Sequence, residues 1–388
     1  MMGIGGTFIA LMPIQDFVTQ TTPLGFLAAG LSFILIPLMI LNRLKSLKIQ
    51  KGERIYFIIV FFLLLYSSVI GLIEIWYRPS TFEFSSGVKL LILFIFSTYP
   101  IAFFWDTEIK NLKRGLSISL IILILGVILV DIFNADMGGV FHLSDIQDKR
   151  LRGFSPESSI FSMTVVVIAL CWLGQLKNVS ELPVLVLLFL ILLICGSKGA
   201  IFAFFAAISF HYLNKIKINM RYMTTLAILL TVGSLILYQA IVDLTVDINN
   251  FNSFSTRAIF IISSLTLITD YPLGAGFFGY YSIGKAAVSD VLLGYSLDVK
   301  EVGTIISTGT NFGFKSGASD LLVIGGIPLS TIFLYSFFKL YNRTENTMLR
   351  LALSFSLFSF ATYVSFIGIY AMLLPIIISR QREILCKK

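Results

Sequence analysis

Charged side chains crowd one short segment of an otherwise apolar sequence, DKRLRGFSPESS at residues 148–159. The segment carries three basic and two acidic side chains: Lys149, Arg150, Arg152, Asp148 and Glu157. A guanidinium group is planar and offers paired N–H donors that match the oxygens of a phosphate group. The segment therefore has the residue types needed to bind an anion such as a diphosphate.

Other basic residues stand near the ends of apolar runs, as Arg150 and Arg152 do. They are Lys198, Arg257 and Lys315. If these side chains converge, they form a positively charged depression at the depth of a lipid headgroup. Two interpretations stay open: the cations bind a diphosphate, or they pair with nearby aspartates and touch lipid phosphates without specificity.

The GFSPESS sequence that follows Arg152 is typical of a helix start. Ser155 is placed to cap the helix, Pro156 fits the first turn, and Glu157 lies near the positive end of the helix dipole. Backbone amides at such a start favour an anion. For Glu157 itself, the simplest alternative is a helix-terminal charge or a salt bridge to Arg152.

The composition places these residues in a membrane protein. Hydrophobic residues make up 57% of the 388 residues and charged residues only 13%, far from the usual balance of a soluble domain. The apolar residues form runs of roughly 15 to 25, the length that a helix needs to cross a bilayer, and do not alternate as in a barrel strand. Helices satisfy their own backbone hydrogen bonds in lipid, so the spans are predicted to be helical.

The apolar runs give the order of the predicted spans. The clear ones cover residues 24–42, 55–76, 89–105, 116–134, 160–175, 182–195, 200–213, 222–241 and 321–341. The run at 3–14 is short, and the run at 351–379 is too long for one comfortable span.

Basic residues mark the cytoplasmic face, because they are retained on that side of a membrane. They gather in alternate connections and in the C-terminal tail: Arg43, Lys45, Lys48, Lys51, Arg54, Lys110, Lys113, Arg114, Lys177, Lys215, Lys217, Arg221, Lys339, Arg343, Arg350, Arg380, Arg382, Lys387 and Lys388. A cytoplasmic tail requires the 351–379 run to cross twice, with a break near Ser365. The expected fold is an all-α bundle of about 11 to 12 transmembrane helices, in one membrane domain over 1–388.

Of the four predicted external segments, near 77–88, 135–159, 196–199 and 242–320, two longer ones carry most of the candidate site. The first, 135–159, holds the basic motif, and the second, 242–320, is long enough to expect a functional loop. Within the second, RAIFIISSLTLIT at 257–269 is too short to span and predicts an interfacial helix. The following DYPLGAGFFGYY, with Gly274 and Gly276, predicts a tight turn that approaches a ligand or another backbone.

Four segments resemble the Wzy-type polymerases of bacterial O-antigens and capsular or exopolysaccharides, within the polymerase and ligase superfamily. RLRGFSPESSIFS resembles the family's arginine, glycine, glutamate and serine pattern before a membrane helix, although the family often has proline after the glutamate, whereas Pro156 precedes Glu157. GSKGA resembles its basic turn, with Lys198 where arginine is frequent. TRAIFIISSLTLITDYPLGAGFFGYY resembles its arginine-led helix and glycine turn, and SGASDLLVIGGIPL its return from the large loop.

The resemblance implies an inverting, GT-C-like glycosyltransferase on the external face of the bacterial inner membrane. Such an enzyme moves a growing glycan from undecaprenyl diphosphate onto a lipid-linked repeat unit. Its expected partners are the undecaprenyl-diphosphate-linked oligosaccharide and membrane lipid, with a chain-length regulator protein as a further candidate and no nucleic acid. No cofactor is expected, and the nucleotide-free donor predicts metal independence.

The implied chemistry assigns roles to particular residues. Arg150, Arg152, Arg257 and Lys198 are candidates to stabilise negative charge on the leaving diphosphate. Glu157 is the first candidate for a general base that activates the acceptor hydroxyl, with Asp270 second. The further substrate-binding candidates are Gly274, Gly276, Tyr280, Tyr281 and Lys315. The two tyrosines are proposed to stack on a sugar ring.

Other polar residues have structural interpretations. Glu74 and Asp131 lie near external helix ends, where a carboxylate that reaches the interface is simpler than a functional acid. His142 is interpreted as an ordinary interfacial histidine and His211 as structural. Cys171, Cys195 and Cys386 have no metal-like spacing and are interpreted as packing residues. We expect no cleavable signal peptide at the N-terminus.

Three other functions remain open. A ligase of the same superfamily is disfavoured, because the 242–320 segment lacks the histidine that such ligases usually carry there. A flippase or secondary transporter predicts inverted repeats and ionisable residues near the bilayer midplane, which the sequence does not display. A receptor or scaffold subunit of a glycan assembly complex predicts that Arg152 and Arg257 are dispensable for polysaccharide length.

Overall fold

The computed structural model of the chain describes residues 4–14, 51–77, 82–99, 107–133, 150–155, 157–176, 179–215, 253–294, 300–308, 313–363 and 373–379. These ranges contain helices and no strand. The predicted spans at 24–42 and 222–241 and the predicted break near Ser365 lie outside the described residues. The all-helical class is confirmed for the described part of the chain.

Twelve helices in these ranges carry the labels used below. They are α1 (Ile4–Leu11), α2 (Lys51–Tyr77), α3 (Phe84–Thr98), α4 (Ile109–Gly126), α5 (Ser158–Leu173), α6 (Glu181–Cys195), α7 (Lys198–Lys215), α8 (Ser253–Asp270), α9 (Gly276–Gly294), α10 (Lys300–Thr308), α11 (Gly317–Arg343) and α12 (Thr347–Thr362). A 3₁₀ turn, Met12–Ile14, follows α1, and residues 373–379 are also helical.

Three of the described helices are long and apolar enough to cross a membrane: Arg54–Tyr77, Ile109–Ile132 and Gly317–Arg343. Among the shorter apolar helices, α5 packs against α4 and α12 packs against α11. Many large apolar side chains of α2 and α6 point outward, as in Phe61 and Leu187, where a lipid environment favours them. The chain is therefore an integral membrane protein. The full helix count stays a prediction.

The helices form two groups that meet along α11 and α12. In one group α5 is almost completely buried and packs against α4, α6, α7 and α12. In the other group α8 and α9 form a hairpin that packs against α2, α3 and α11. The candidate basic residues lie at the ends of helices from both groups, so this shared boundary positions the site.

Much of the segment 242–320, predicted as a large external loop, is a packed hairpin of α8 and α9. The helix predicted at 257–269 extends over Ser253–Asp270, because residues 253–256 add a further turn. Phe260 packs edge to face on Phe314, and Ser264 contacts Ser319 one turn later, so α8 runs alongside the first half of α11. Its position relative to a membrane surface stays a prediction.

The turn between α8 and α9 is joined to α11 by exchanged backbone hydrogen bonds. α11 is kinked at Gly326 (φ 58°), and Pro328 behind it has no N–H to donate. The amide of Ala275 donates to Val323 O over 2.6 Å, and the amide of Ile327 donates to Pro272 O over 2.9 Å. The break in α11 therefore supplies the donor and acceptor that hold the turn.

Glycine is required at both sides of this contact. Gly274 has φ +85°, and a Cβ there would lie 2.5 Å from the Gly326 nitrogen. The phenol of Tyr66 on α2 adds a hydrogen bond of 2.6 Å to Leu273 O. The sequence left open whether the turn approaches a ligand or a backbone, and the structure places it against a backbone.

We expect Gly326→Ala to lower the stability of the protein by at least about 1–3 kcal/mol, because alanine is strained at positive φ and its Cβ would collide with Pro272 O. Thermal unfolding of the purified protein in detergent measures the change. Gly303→Ala on α10 is the matched control, since a Cβ there meets no atom within 4 Å among the described residues. Equal stability of the two variants would contradict the backbone contact.

Candidate functional site

The basic motif is held by one carboxylate at the end of α4. Helix α4 continues as a π-helical turn, Val127–Ile132, in which Asp131 lies. The Asp131 carboxylate accepts hydrogen bonds from the amide of Gly153 (2.8 Å) and from the amide of Arg152 (3.2 and 3.3 Å to its two oxygens). Such π-helical turns are rare and often lie at functional sites, and this one carries the carboxylate that binds the motif.

Close packing fixes the rest of the motif. Gly153 has φ +54°, and a Cβ there would lie 2.9 Å from the ring of Phe161 on α5. Phe154 packs in turn on Gly126 at the end of α4, where a Cβ would also lie 2.9 Å from the ring. The motif therefore sits in a fixed conformation between α4 and α5.

The start of α5 differs from the predicted cap. The helix begins at Ser158, and Glu157 is the capping residue, so Ser155 is not the cap. The amide of Ser155 instead donates to Arg152 O in a turn over 2.9 Å, because the chain must bend back toward α4. Glu157 is exposed and accepts a hydrogen bond of 3.0 Å from the Ser159 hydroxyl. Pro156 lies outside the described residues.

The GSKGA turn packs directly against the basic motif. Gly196 ends α6 with φ +61°, and a Cβ there would lie 2.8 Å from Cδ of Arg150. Ser197 accepts a hydrogen bond of 3.4 Å from the amide of Ala200 and so caps α7. Lys198 is the first residue of α7 and is exposed. Arg150 and Lys198 are thus brought to the same turn.

Arg257 reaches this region through Tyr363, the residue that follows α12. Arg257 lies near the phenol of Tyr363, within the range of an electrostatic interaction. The same tyrosine packs on Gly199 in the first turn of α7, where a Cβ would lie 3.2 Å from its side-chain carbons. The start of α8 is therefore linked to the α6–α7 turn across the end of α12.

Lys315 lies in a turn held against the same end of α12. It has φ 55°, an unusual conformation for a lysine, and precedes Ser316, the capping residue of α11. Ser316 donates a hydrogen bond of 3.0 Å to Ala361 O, and Ser264 on α8 donates one of 3.1 Å to Ser319. These buried serines connect α8, α11 and α12.

The basic residues differ in accessibility. Arg150 and Lys198 are exposed, and Arg257 and Lys315 are half-buried. Arg152 is only 3% exposed. The backbone of Arg152 is bonded to Asp131 and its side chain lies inside the protein, and its predicted action on a diphosphate stays a prediction.

Two candidates for substrate contact have structural positions instead. Tyr280 is 2% exposed, so its ring has no free face for a sugar. Its hydroxyl donates to the buried carboxylate of Asp320. The amide of Phe314 donates to the hydroxyl oxygen of Tyr280 (3.3 Å) and to one carboxylate oxygen of Asp320 (3.2 Å). Tyr281 is half-buried and packs edge to face on Tyr280, with ring centroids 5.3 Å apart. The tyrosine pair therefore anchors the segment before α11.

Gly274, Gly276 and Asp270 also lie apart from the basic residues. Gly274 packs on α11, and Gly276 faces Ser67 and Ile70 of α2, so neither contacts the basic motif. Asp270 ends α8, thirteen residues after Arg257, which places it about 20 Å away along the helix axis. It lines an open cleft of about 690 Å³ between α8 and α9. Asp270 therefore lies far from Arg257 along α8, and its role as the second candidate base stays a prediction.

Three residues that are not among the predicted site residues have structural roles in this region. Asp131, predicted to be a carboxylate at the interface, fixes the basic motif. Asp320 is 3% exposed and Tyr363 6%, and neither stood out in its apolar run. The one available signal for Asp320 was an acidic residue beside a serine-rich helix start, SGASD.

The remaining polar predictions have simple outcomes. His211 is completely buried and its Nδ1 lies 3.2 Å from the Tyr341 hydroxyl, in agreement with a structural role. Cys171 and Cys195 are buried free thiols, as expected. His142, Cys386 and the side chain of Glu74 lie outside the described residues. Within the described ranges, no group of three or more histidine, cysteine, aspartate or glutamate side chains is arranged to hold a metal.

Comparison with known proteins yields one informative similarity. The chain is 27% identical over 380 residues to a Klebsiella pneumoniae protein described as an uncharacterized 49.5 kDa protein in the cps region. The match covers 94% of this chain and 88% of that protein. No family model matches the chain. No solved structure matches it either.

We expect Asp131→Ala to destabilise the protein by about 1.5–3 kcal/mol, because two backbone amides lose a charged acceptor. Thermal unfolding in detergent measures the loss. Asp290→Ala, at an exposed position on α9, is the control and should change stability by less than about 0.5 kcal/mol. Equal effects would show that Asp131 does not anchor the motif.

Proposed function

We propose that this protein is a polysaccharide polymerase of the bacterial inner membrane. It transfers a growing glycan from undecaprenyl diphosphate to the non-reducing end of a lipid-linked repeat unit, on the external face. The reaction inverts the anomeric configuration and needs no metal ion. The proposal takes its chemistry from the Wzy-type resemblance of the four sequence segments.

The similarity to a protein of the cps region supports a role in capsule polysaccharide synthesis. It extends over nearly the whole of both chains, so the similarity is not confined to one motif. Such a role requires an enzyme that reaches lipid-linked glycans, and this chain is a helical membrane protein.

The observation that carries the proposal is the convergence of separate segments at one set of helix ends. Arg150 contacts the α6–α7 turn, Tyr363 connects that turn to Arg257, and Ser316 connects Lys315 to the end of α12. Cleavage of a sugar–diphosphate bond leaves negative charge on the departing diphosphate. Cations fixed in advance near that group stabilise the transition state, because they need no rearrangement when the charge develops.

The roles of individual residues follow from their accessibility. Arg150, Lys198 and Arg257 are assigned to the diphosphate, with Lys315 beside them. Arg152, being buried, is assigned to the support of this surface rather than to direct contact. Glu157 is exposed at the start of α5 and is assigned as the general base that removes the proton of the attacking hydroxyl.

Arg257→Ala is expected to stop chain extension, because it removes a cation from the leaving diphosphate. A purified system with a synthetic undecaprenyl-diphosphate-linked repeat unit measures the result as the ladder of products on a gel. Turnover should fall about 100-fold or more, and single repeat units should accumulate.

Arg114→Ala is the control for this experiment, since Arg114 is an exposed arginine of α4 on the predicted cytoplasmic face. Its product ladder should equal that of the unchanged protein. A normal ladder from the Arg257 variant would remove Arg257 from the site. Translocation of the lipid-linked unit across vesicles without any polymer would instead identify a flippase.

Glu157→Gln is expected to lower turnover about 100- to 10,000-fold, because glutamine keeps the shape but cannot accept the proton. Substrate affinity should change little, so kcat and not KM carries the loss. Asp270→Asn serves as the comparison and should retain normal turnover, because Asp270 lies at the far end of α8. The reverse result would exchange the two assignments.

A further inference from the structure

Two buried hydroxyl groups at the end of α12 lack hydrogen bonds. The phenol oxygen of Tyr363 and the hydroxyl of Ser359 are inaccessible to solvent, and neither makes a hydrogen bond to any residue that the structure describes. An unsatisfied buried polar group costs about 1–3 kcal/mol of stability. Such groups call for an explanation in a well-packed region.

The packing around Tyr363 leaves little freedom for its ring. The side chain rests on Gly199 in the first turn of α7, and the amide of Tyr363 donates to Ser359 O over 2.9 Å. The hydroxyls of Ser359 and Ser162 lie near the phenol oxygen. That oxygen makes no hydrogen bond of ordinary length and angle to a residue that the structure describes. The ring is thus fixed while its oxygen is left unsatisfied.

The environment of these hydroxyls favours an anion. The Arg257 charge acts on the phenol, and the first turn of α7, with its positive helix end and Lys198, lies against the ring. Two hydroxyl donors beside an arginine are suited to the oxygen of a phosphate group.

We propose that the hydroxyls of Tyr363 and Ser359 donate hydrogen bonds to a phosphate oxygen of the ligand that Arg257 binds. They form the inner end of the anion site and act on binding, not on proton transfer. The inference rests on the proposed function for the identity of the ligand, a lipid-linked diphosphate. The phosphate of an ordinary phospholipid has the same chemistry, so the experiment separates the two sources.

Tyr363→Phe is the decisive variant because it removes one oxygen and keeps the ring on Gly199. Binding of inorganic pyrophosphate, undecaprenyl diphosphate and phosphatidylglycerol to the purified protein in detergent is measured by titration. The expected loss of affinity for pyrophosphate and undecaprenyl diphosphate is about 10- to 100-fold, with phosphatidylglycerol unaffected. Ser359→Ala should give a loss in the same direction.

Stability of the unliganded protein separates this role from a structural one. Because the phenol oxygen is unsatisfied, Tyr363→Phe should leave the melting temperature of the empty protein unchanged or raise it. Tyr341→Phe is the matched control: it removes the 3.2 Å contact with His211, so it should lower the melting temperature and keep normal pyrophosphate affinity.

Unchanged pyrophosphate affinity in Tyr363→Phe would overturn the proposal, as would a joint loss of affinity and stability. A loss confined to phosphatidylglycerol would overturn the diphosphate as the ligand. The result is also independent of polymer synthesis. If Tyr363→Phe weakens pyrophosphate binding but the unchanged protein makes no polymer, this anion site is upheld and the polymerase function is refuted. If the unchanged protein makes polymer and Tyr363→Phe changes neither binding nor synthesis, the polymerase function is upheld and this anion site is refuted.

Discussion

The hydrogen bonds from the amides of Arg152 and Gly153 to Asp131 set the geometry of the basic motif. A charged acceptor between two backbone donors is stronger than a neutral one, and the positive φ of Gly153 lets both amides face it. With the backbone fixed there, Arg152 turns inward and Arg150 lies along Gly196. The two arginines of one motif thereby acquire different environments, although only one residue separates them.

A second set of polar contacts joins the two groups of helices. Serine hydroxyls of α8 and α11 bond to each other and to the end of α12, and Asp320 accepts from Tyr280 and Phe314. Small residues allow these helices to approach closely, as is common in membrane proteins, where helix association depends on packing and hydrogen bonds. The helix ends that carry Arg257 and Lys315 are therefore positioned by hydrogen bonds among buried polar groups.

The sequence predicted the helical class and the order of several spans. Long apolar runs determine helices in lipid, so α2, α4 and α11 lie close to the predicted ranges. It did not predict which of two chemically similar side chains is buried. Arg152 and Arg150 have the same chemistry, and their different burial depends on a π-helical turn in α4. Tyr280 and Tyr363 likewise differ only through tertiary neighbours, Asp320 for the first and Arg257 for the second.

The exchanged backbone bonds between the α8–α9 turn and the kink of α11 limit how the protein can move. Hydrogen bonds in both directions, together with glycines in close contact, leave no space for sliding at that joint. The hairpin and the first half of α11 must travel as one body. Relative movement of helices is therefore easier at the boundary between α11 and α12, where hydroxyl contacts such as that of Ser316 with Ala361 O can break and reform without unfolding a helix.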